Sequence, residues 1–303
     1  MLTTLLQNIL NALQWGSFYS MIALGYCLVY GVLRLINFAH GDIFMTACYI
    51  AFFVATALLG KLAGNSGAVF CLTLILTMIG TALLGITIER IAYRPLRKKG
   101  VNRLYVVITA LMVGFILENG NLAALGASSR SFPDIIDKQL WQFGPIIITN
   151  LKLMVIIAAF VVFGILQFIV QKTLFGMSMR AISYDKFAIP LMGIPVNQVI
   201  TFTFALGSSL AAVAGILFGM SYPVLDPYMG TIIGWKAFIA AVVGGIGDIK
   251  GAFIGGFILG FIEIFFAAFF PSSFKDLISF VILLIILVLK PTGFFGVPRS
   301  TKI

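Results

Sequence analysis

Nine apolar runs divide the chain, at residues 10–33, 42–60, 68–91, 104–126, 151–171, 198–221, 231–247, 252–271 and 276–290. A helix needs about 20 mostly apolar residues to cross a bilayer, and most of these runs supply them. The seventh is short and broken by glycine, which predicts a half-span. The pattern predicts an all-α polytopic transmembrane bundle of about eight or nine spans with broken or re-entrant helices. The whole of 1–303 reads as one membrane domain. Small residues recur at four-residue spacing in two places, Gly207, Ala211, Gly215 and Gly219, and Gly251 and Gly255 beside Gly256 and Gly260. Such rows predict helix pairs whose backbones approach closely in lipid.

Composition agrees. Hydrophobic residues make up 61% and charged residues 10%, against about a quarter charged in an ordinary soluble domain. Mean hydropathy is +1.11. The net charge of +10 does not point to nucleic acid, because the cations sit in short loops between apolar runs, as the positive-inside rule requires. Arg90, Arg94, Arg97, Lys98, Lys99 and Arg103 place the turn after the third span in the cytoplasm. Alternation then puts 127–150 outside, 172–197 inside and the tail with Lys290, Arg299 and Lys302 inside. Nine full spans would put the N-terminus outside; a re-entrant segment near 37–42 would put it inside. Cys27, Cys48 and Cys71 lie in apolar runs and read as small hydrophobes rather than a disulfide framework. The first residues lack the cationic start of a cleavable signal.

Few places offer chemistry. Residues 34–42, RLINFAHGD, pack Asn37, Phe38, His40, Gly41 and Asp42 between two apolar runs. If Gly41 opens the next helix, its free N–H groups could attract a carboxylate, as broken helices do in transporters. An ordinary cytoplasmic turn with solvated His40 and Asp42 fits equally well. His40 is the only histidine, so a His-rich metal site is set aside. The run VVGGIGDIKGAFIGG, with Gly244 and Gly245, is too rich in glycine to be one helix and lacks the phosphate-loop pattern. It reads as a tight turn between half-helices. Glu118, Lys236 and Glu263 fall at membrane depth, where an uncompensated charge costs about 2.5 to 3.5 kcal/mol. Each needs a buried partner, a water-filled path or an interfacial position. No nucleophile–base arrangement suggests an enzyme.

The segment GMSMRAISYDKFAIPLMGIP, Gly176 to Pro195, is a polar, basic and roughly helical insert between two spans. Pro190 and Pro195 limit any helix there to two or three turns. It could dock in a partner's groove or rest on the inner leaflet.

The stretches YGVLRLINFAHGD, ITIERIAYRPLR, GMSMRAISYDKFAIPLMGIPVNQV, LAAVAGILFG, GWKAFIAAVVGGIGDIKGAFIGGFILG, KDLISFVILL and PTGFFG occur together and in an order that resembles the LivH-type membrane subunits of branched-chain amino acid ABC transporters. The resemblance runs from residue 15 to residue 297; the loop 127–150 is unlike anything general to that family. It implies an importer in the cytoplasmic membrane. Two ATP-binding subunits would carry ATP and Mg, so this chain would hold no cofactor. A second related permease subunit would complete the path, and an extracytoplasmic binding protein would deliver substrate. It implies that 172–197 is the coupling segment, with Arg180, Ala181, Asp185, Ala188, Gly193 and Ile194 at family positions. Phe187 and Pro190 depart from the family's usual residues there. Asn37, Phe38, His40, Gly41, Asp42, Glu118, Gly244 and Gly245 are the candidate substrate-pathway residues. Cargo within this class includes leucine, isoleucine and valine, or alternatively urea, short amides or another small amphiphile. A self-sufficient carrier or channel is the competing class.

Overall fold

The computed structural model describes residues 2–62, 64–144, 146–184 and 189–296. Helices dominate: α1 (Leu2–Leu33), α2 (His40–Leu59), α3 (Ser66–Ile88), α4 (Arg94–Lys98), α5 (Arg103–Leu125), α6 (Asn150–Lys172), α7 (Leu174–Tyr184), α8 (Val196–Ser221), α9 (Met229–Gly244), α10 (Ile249–Phe269) and α11 (Lys275–Leu289). Among the described residues eight helices are long and apolar enough to cross a bilayer, and α9, with 16 residues, is too short. The chain is an all-α membrane bundle, as its apolar pattern predicts.

Two boundaries differ from the expected ones. Helix α1 begins at Leu2, well before the apolar run, and residues 3–6 of this extension are exposed. The basic segment after the third span is not a loop. Helix α3 widens into one π-helical stretch, Glu89–Tyr93, and continues as α4 to Lys98. Hydropathy cannot register this, since a buried ion cluster carries the charged residues through the end of the helix.

Helices α1 and α8 are the buried centre, and α11 is the most peripheral. The small-residue rows do what their spacing suggests. A side chain added at Gly255 would strike the Ala240 carbonyl of α9, and one added at Gly256 would strike Ser20 of α1. Helix α10 therefore presents one glycine row to each neighbour. On α8, Gly207 faces Gly25, Gly215 faces Cys48 and Gly219 faces Phe132.

These contacts set relative levels. Gly25, in the second half of α1, meets both Gly207, near mid-length of α8, and His40, the first residue of α2. Helix α2 thus starts halfway through the bundle, and the link 34–39 climbs back from the end of α1 to reach it. Gly230 and Gly234 meet Gly41, so α9 also starts inside the bundle. Two interrupted spans cross at their N-termini.

The segment 126–149 carries a hairpin of β2 (Leu140–Phe143) and β3 (Ile146–Thr149), while β1 (Arg130–Ser131) pairs with β4 (Val224–Leu225). The Gln7 side-chain amide donates to the Ile147 carbonyl and its oxygen accepts from the Ile147 N–H, both at 3.1 Å. The start of α1 therefore lies on the same side as the 126–149 segment. At the opposite side Phe294 and Phe295 donate backbone N–H groups to the Val243 and Gly244 carbonyls, each at 2.9 Å. They satisfy the last carbonyls of α9, which a helix end leaves without partners.

The membrane-depth charges find each other. Glu263 is fully buried. It accepts from the Tyr19 hydroxyl at 2.6 Å and the Ser279 hydroxyl at 2.5 Å. It also pairs with Lys236 at 3.1 Å and Lys275 at 3.6 Å. Lys236 in turn reaches Asp276 at 2.6 Å. Four helices, α1, α9, α10 and α11, are tied through one carboxylate.

Candidate functional site: a cavity at two interrupted helices

Glycine makes the crossing of α2 and α9 possible. A methyl group on Gly41 would overlap the Gly230 carbonyl and the Cα of Gly234, and one on Gly230 would overlap Met45 and Asp42. Beside this crossing lies a cavity of about 130 Å³. Its walls come from Tyr26 of α1, Phe38, Leu111 and Phe115 of α5, and Trp235. The aromatic rings support one another: Phe38 packs on Trp235 and on Phe238 at 5.4 Å each, and Tyr26 on Phe238 at 6.0 Å.

Two carboxylates enter this apolar chamber. Asp42 is the third residue of α2 and is 8% exposed. One oxygen faces Gly114 of α5 and the other faces Gly230. Asp42 Oδ1 has no hydrogen-bond partner among the described residues. Its place in the first turn of α2 puts it at the positive end of that helix dipole, which offsets part of the cost of burial. Glu118 reaches the cavity from α5, and its Oε2 accepts from the Thr231 hydroxyl of α9 at 2.8 Å. Chemically the chamber suits a small amphiphile with an aliphatic body and a cationic head, with two helix N-termini near enough to favour an anionic group.

The expected pathway residues separate into three groups. Phe38, Gly41, Asp42 and Glu118 line the cavity. Asn37 and His40 lie behind it and brace the link. Asn37 accepts from the Tyr93 hydroxyl at 2.6 Å, and its carbonyl accepts from the His40 N–H at 3.1 Å. His40 is buried edge-on to Tyr26, with ring centroids 4.8 Å apart. Gly244 and Gly245 sit at the far end of α9, roughly 20 Å along the helix from Gly230 at 1.5 Å per residue. There Gly245, at φ 113°, turns the chain toward α10, and Gly244 packs on Gly251. Tyr26, Leu111, Gly114, Phe115, Gly230, Thr231, Gly234 and Trp235 complete the cavity and escape sequence reasoning. The Gly230–Gly234 pair, at four-residue spacing, is the signal that could have found α9's part.

On the side of α4, the 172–197 segment folds as α7 followed by a 3₁₀ turn, Ile189–Met192. Arg180 donates to the Val170 carbonyl near the end of α6. Gly176 packs tightly on the Ile169 and Val170 carbonyls. Ala181 is half-buried, and Gly193 turns the chain at φ 80°. Asp185 and Ala188 lie outside the described residues. Leu174, Tyr184, Leu191 and Met192 are 76–89% exposed, although the segment sits at a polar end of the bundle.

Comparison with known proteins places the chain. Residues 8–287 match the family described as branched-chain amino acid transport system / permease component. The chain belongs to that family. It is 38% identical to the high-affinity branched-chain amino acid transport system permease protein BraD of Pseudomonas aeruginosa, covering 98% of both chains. It is 36% identical to the LivH permease protein of Salmonella typhimurium and 35% identical to that of Escherichia coli K12, over 98% of this chain and 97% of each relative. No solved structure matches.

Proposed function

We propose that this chain is a permease subunit of an ATP-driven importer that carries leucine, isoleucine and valine across a cytoplasmic membrane. Near-full-length likeness to permeases named for branched-chain amino acid transport carries the reading. The cavity gives it a chemical basis. Leu111, Phe115, Phe38 and Trp235 take the branched side chain, while Asp42 and Glu118 receive the ammonium group. The basic end of the bundle, with Arg90, Lys98 and Lys99, faces the cytoplasm, and the C-terminus lies on that side. Two ATP-binding subunits dock against the 172–197 segment, whose exposed Leu174, Tyr184, Leu191 and Met192 supply apolar anchors for a helix-in-groove contact. A second permease subunit completes the path, and an extracytoplasmic binding protein delivers substrate. Closure of the ATPase pair moves α7, and the motion reorients helices packed through glycine.

The test is uptake of labelled leucine into vesicles holding the full complex, with and without internal ATP. ATP-dependent leucine uptake is expected, and Asp42→Asn should lower it at least about tenfold, the loss of one charge-assisted hydrogen bond. Equal uptake without ATP, or transport of urea with leucine ignored, would overturn the reading.

A further inference from the structure

The π-helical stretch Glu89–Tyr93 stands between the coupling segment and the cavity. Glu89 is fully buried, an expensive place for a carboxylate unless every lone pair is used. Its Oε1 accepts from Arg94 Nε at 3.3 Å and Arg97 Nη2 at 3.1 Å. Its Oε2 accepts from Arg94 Nη2 at 2.8 Å and lies 2.9 Å from the Thr201 hydroxyl. That hydroxyl accepts from Arg94 Nη2 at 2.6 Å and shares its one proton between Glu89 and the Asn197 carbonyl at 2.8 Å. Arg97 also donates to Asn197 Oδ1 at 2.7 Å. Asn197 and Thr201 are one turn apart in the first turns of α8, and three residues separate α8 from the end of the coupling segment's 3₁₀ turn. Displacement of that segment therefore reaches Asn197 and Thr201 with almost no slack.

The same π-helical stretch has a second arm. Tyr93, its last residue, packs against Phe204 of α8, with ring centroids 5.1 Å apart. It donates its hydroxyl to Asn37, and the Asn37 carbonyl holds the N–H of His40, the first residue of α2, two residues before the cavity carboxylate Asp42. A π-helical turn carries one extra residue inside an α-helix and frequently marks a functional site. A shift of that extra residue past Tyr93 would swing its side chain by about 100° around the helix axis. A joint of this kind needs an element with two positions that both ends can bias.

We propose that Glu89, Thr201 and Tyr93 form a transmission joint that passes motion of the coupling segment, through Asn37, to the N-terminus of α2 at the cavity. This rests on the reading of the chain as an ATP-driven permease. The three residues position others and do not touch substrate.

The experiment compares Thr201→Val, Tyr93→Phe and the double variant in vesicles containing the full complex. Both substitutions keep shape, and Tyr93→Phe keeps the stacking on Phe204. Leucine uptake and ATP hydrolysis are measured together, with the unfolding temperature of each complex. The joint predicts that ATP hydrolysis stimulated by the binding protein persists while uptake per ATP falls roughly fivefold in each single variant. The double variant should be no worse than either, because the two bonds act in series. An unchanged uptake-to-ATP ratio overturns the joint. So does a parallel fall of uptake, hydrolysis and unfolding temperature, which marks a structural brace only, or a double variant whose losses multiply. If the native complex shows no ATP dependence at all, the functional reading fails instead, and the joint with it.

Discussion

Glu263 offers the sharpest check on how this bundle tolerates charge. It is fully buried and serves four donors from three other helices, Tyr19, Lys236, Lys275 and Ser279. Glu263→Gln keeps the shape and can still accept from the two hydroxyls, but it removes the negative charge between two lysines. Stripping the partner from a buried ion typically costs about 3 to 5 kcal/mol. The low end applies here, about 3 kcal/mol, because Lys236 retains Asp276 at 2.6 Å and the Asp276 side chain, 61% exposed, stays partly solvated. Lys236→Met alone leaves Glu263 with Lys275 at 3.6 Å and should cost about as much. The double variant Lys236→Met with Glu263→Gln removes the pair together and restores charge balance. It should recover a coupling energy on the order of 1.5 kcal/mol. Equilibrium unfolding of all four proteins in one detergent measures the cycle. Strictly additive losses, or a Glu263→Gln cost below about 0.5 kcal/mol, the scale of an ordinary surface change, would refute the reasoning.

Three further outcomes follow from other contacts. Gly230→Val forces a branched side chain against Met45 and Asp42 and should destabilise by about 1–3 kcal/mol; Gly120→Ala, which meets nothing within 4 Å, should instead be neutral or slightly stabilising in the same unfolding assay. Phe295→Pro removes the N–H that satisfies the Gly244 carbonyl, costing about 1–3 kcal/mol, and amide exchange at the C-terminal turn of α9 should rise. With Cys71, the exposed native thiol, changed to Ser, Thr4→Cys and Ser128→Cys should react with an impermeant thiol reagent from the same face of the membrane. Lys99→Cys should react only from the other face.

The architecture was largely legible because the membrane imposes one period and one length, and the nine apolar runs translate directly into helices. The face on which the N-terminus lies was not, because hydropathy cannot distinguish a re-entrant dip at 37–42 from a link that climbs back into the bundle; the Gln7–Ile147 pair puts it on the face of the 126–149 segment. The cavity was half legible. Asp42 and Gly41 stand out as polar and small residues at the start of an apolar run. Trp235 and Leu111 look like any lipid-facing residue until α5 and α9 are brought together. Gly244 and Gly245 drew attention by glycine density, but density marks the α9–α10 turn as readily as a ligand site. The Glu89 cluster was hidden because its basic members satisfy the positive-inside pattern by themselves, and nothing in that pattern announces that the preceding carboxylate is buried among them.

Helix α9 also constrains how the protein is made. It is short, carries Lys236, and draws its balancing carboxylates from residues 263 and 276 and its terminal N–H donors from residues 294 and 295. All of these leave the ribosome later. A lone lysine at the centre of a nascent span opposes insertion by about 2.5 to 3.5 kcal/mol, and α9 has few residues with which to offset it. Helix α9 therefore gains its full stability in the bilayer only once α10 and α11 have joined it. A truncation anywhere before residue 263 strands a charge that the rest of the chain was built to neutralise.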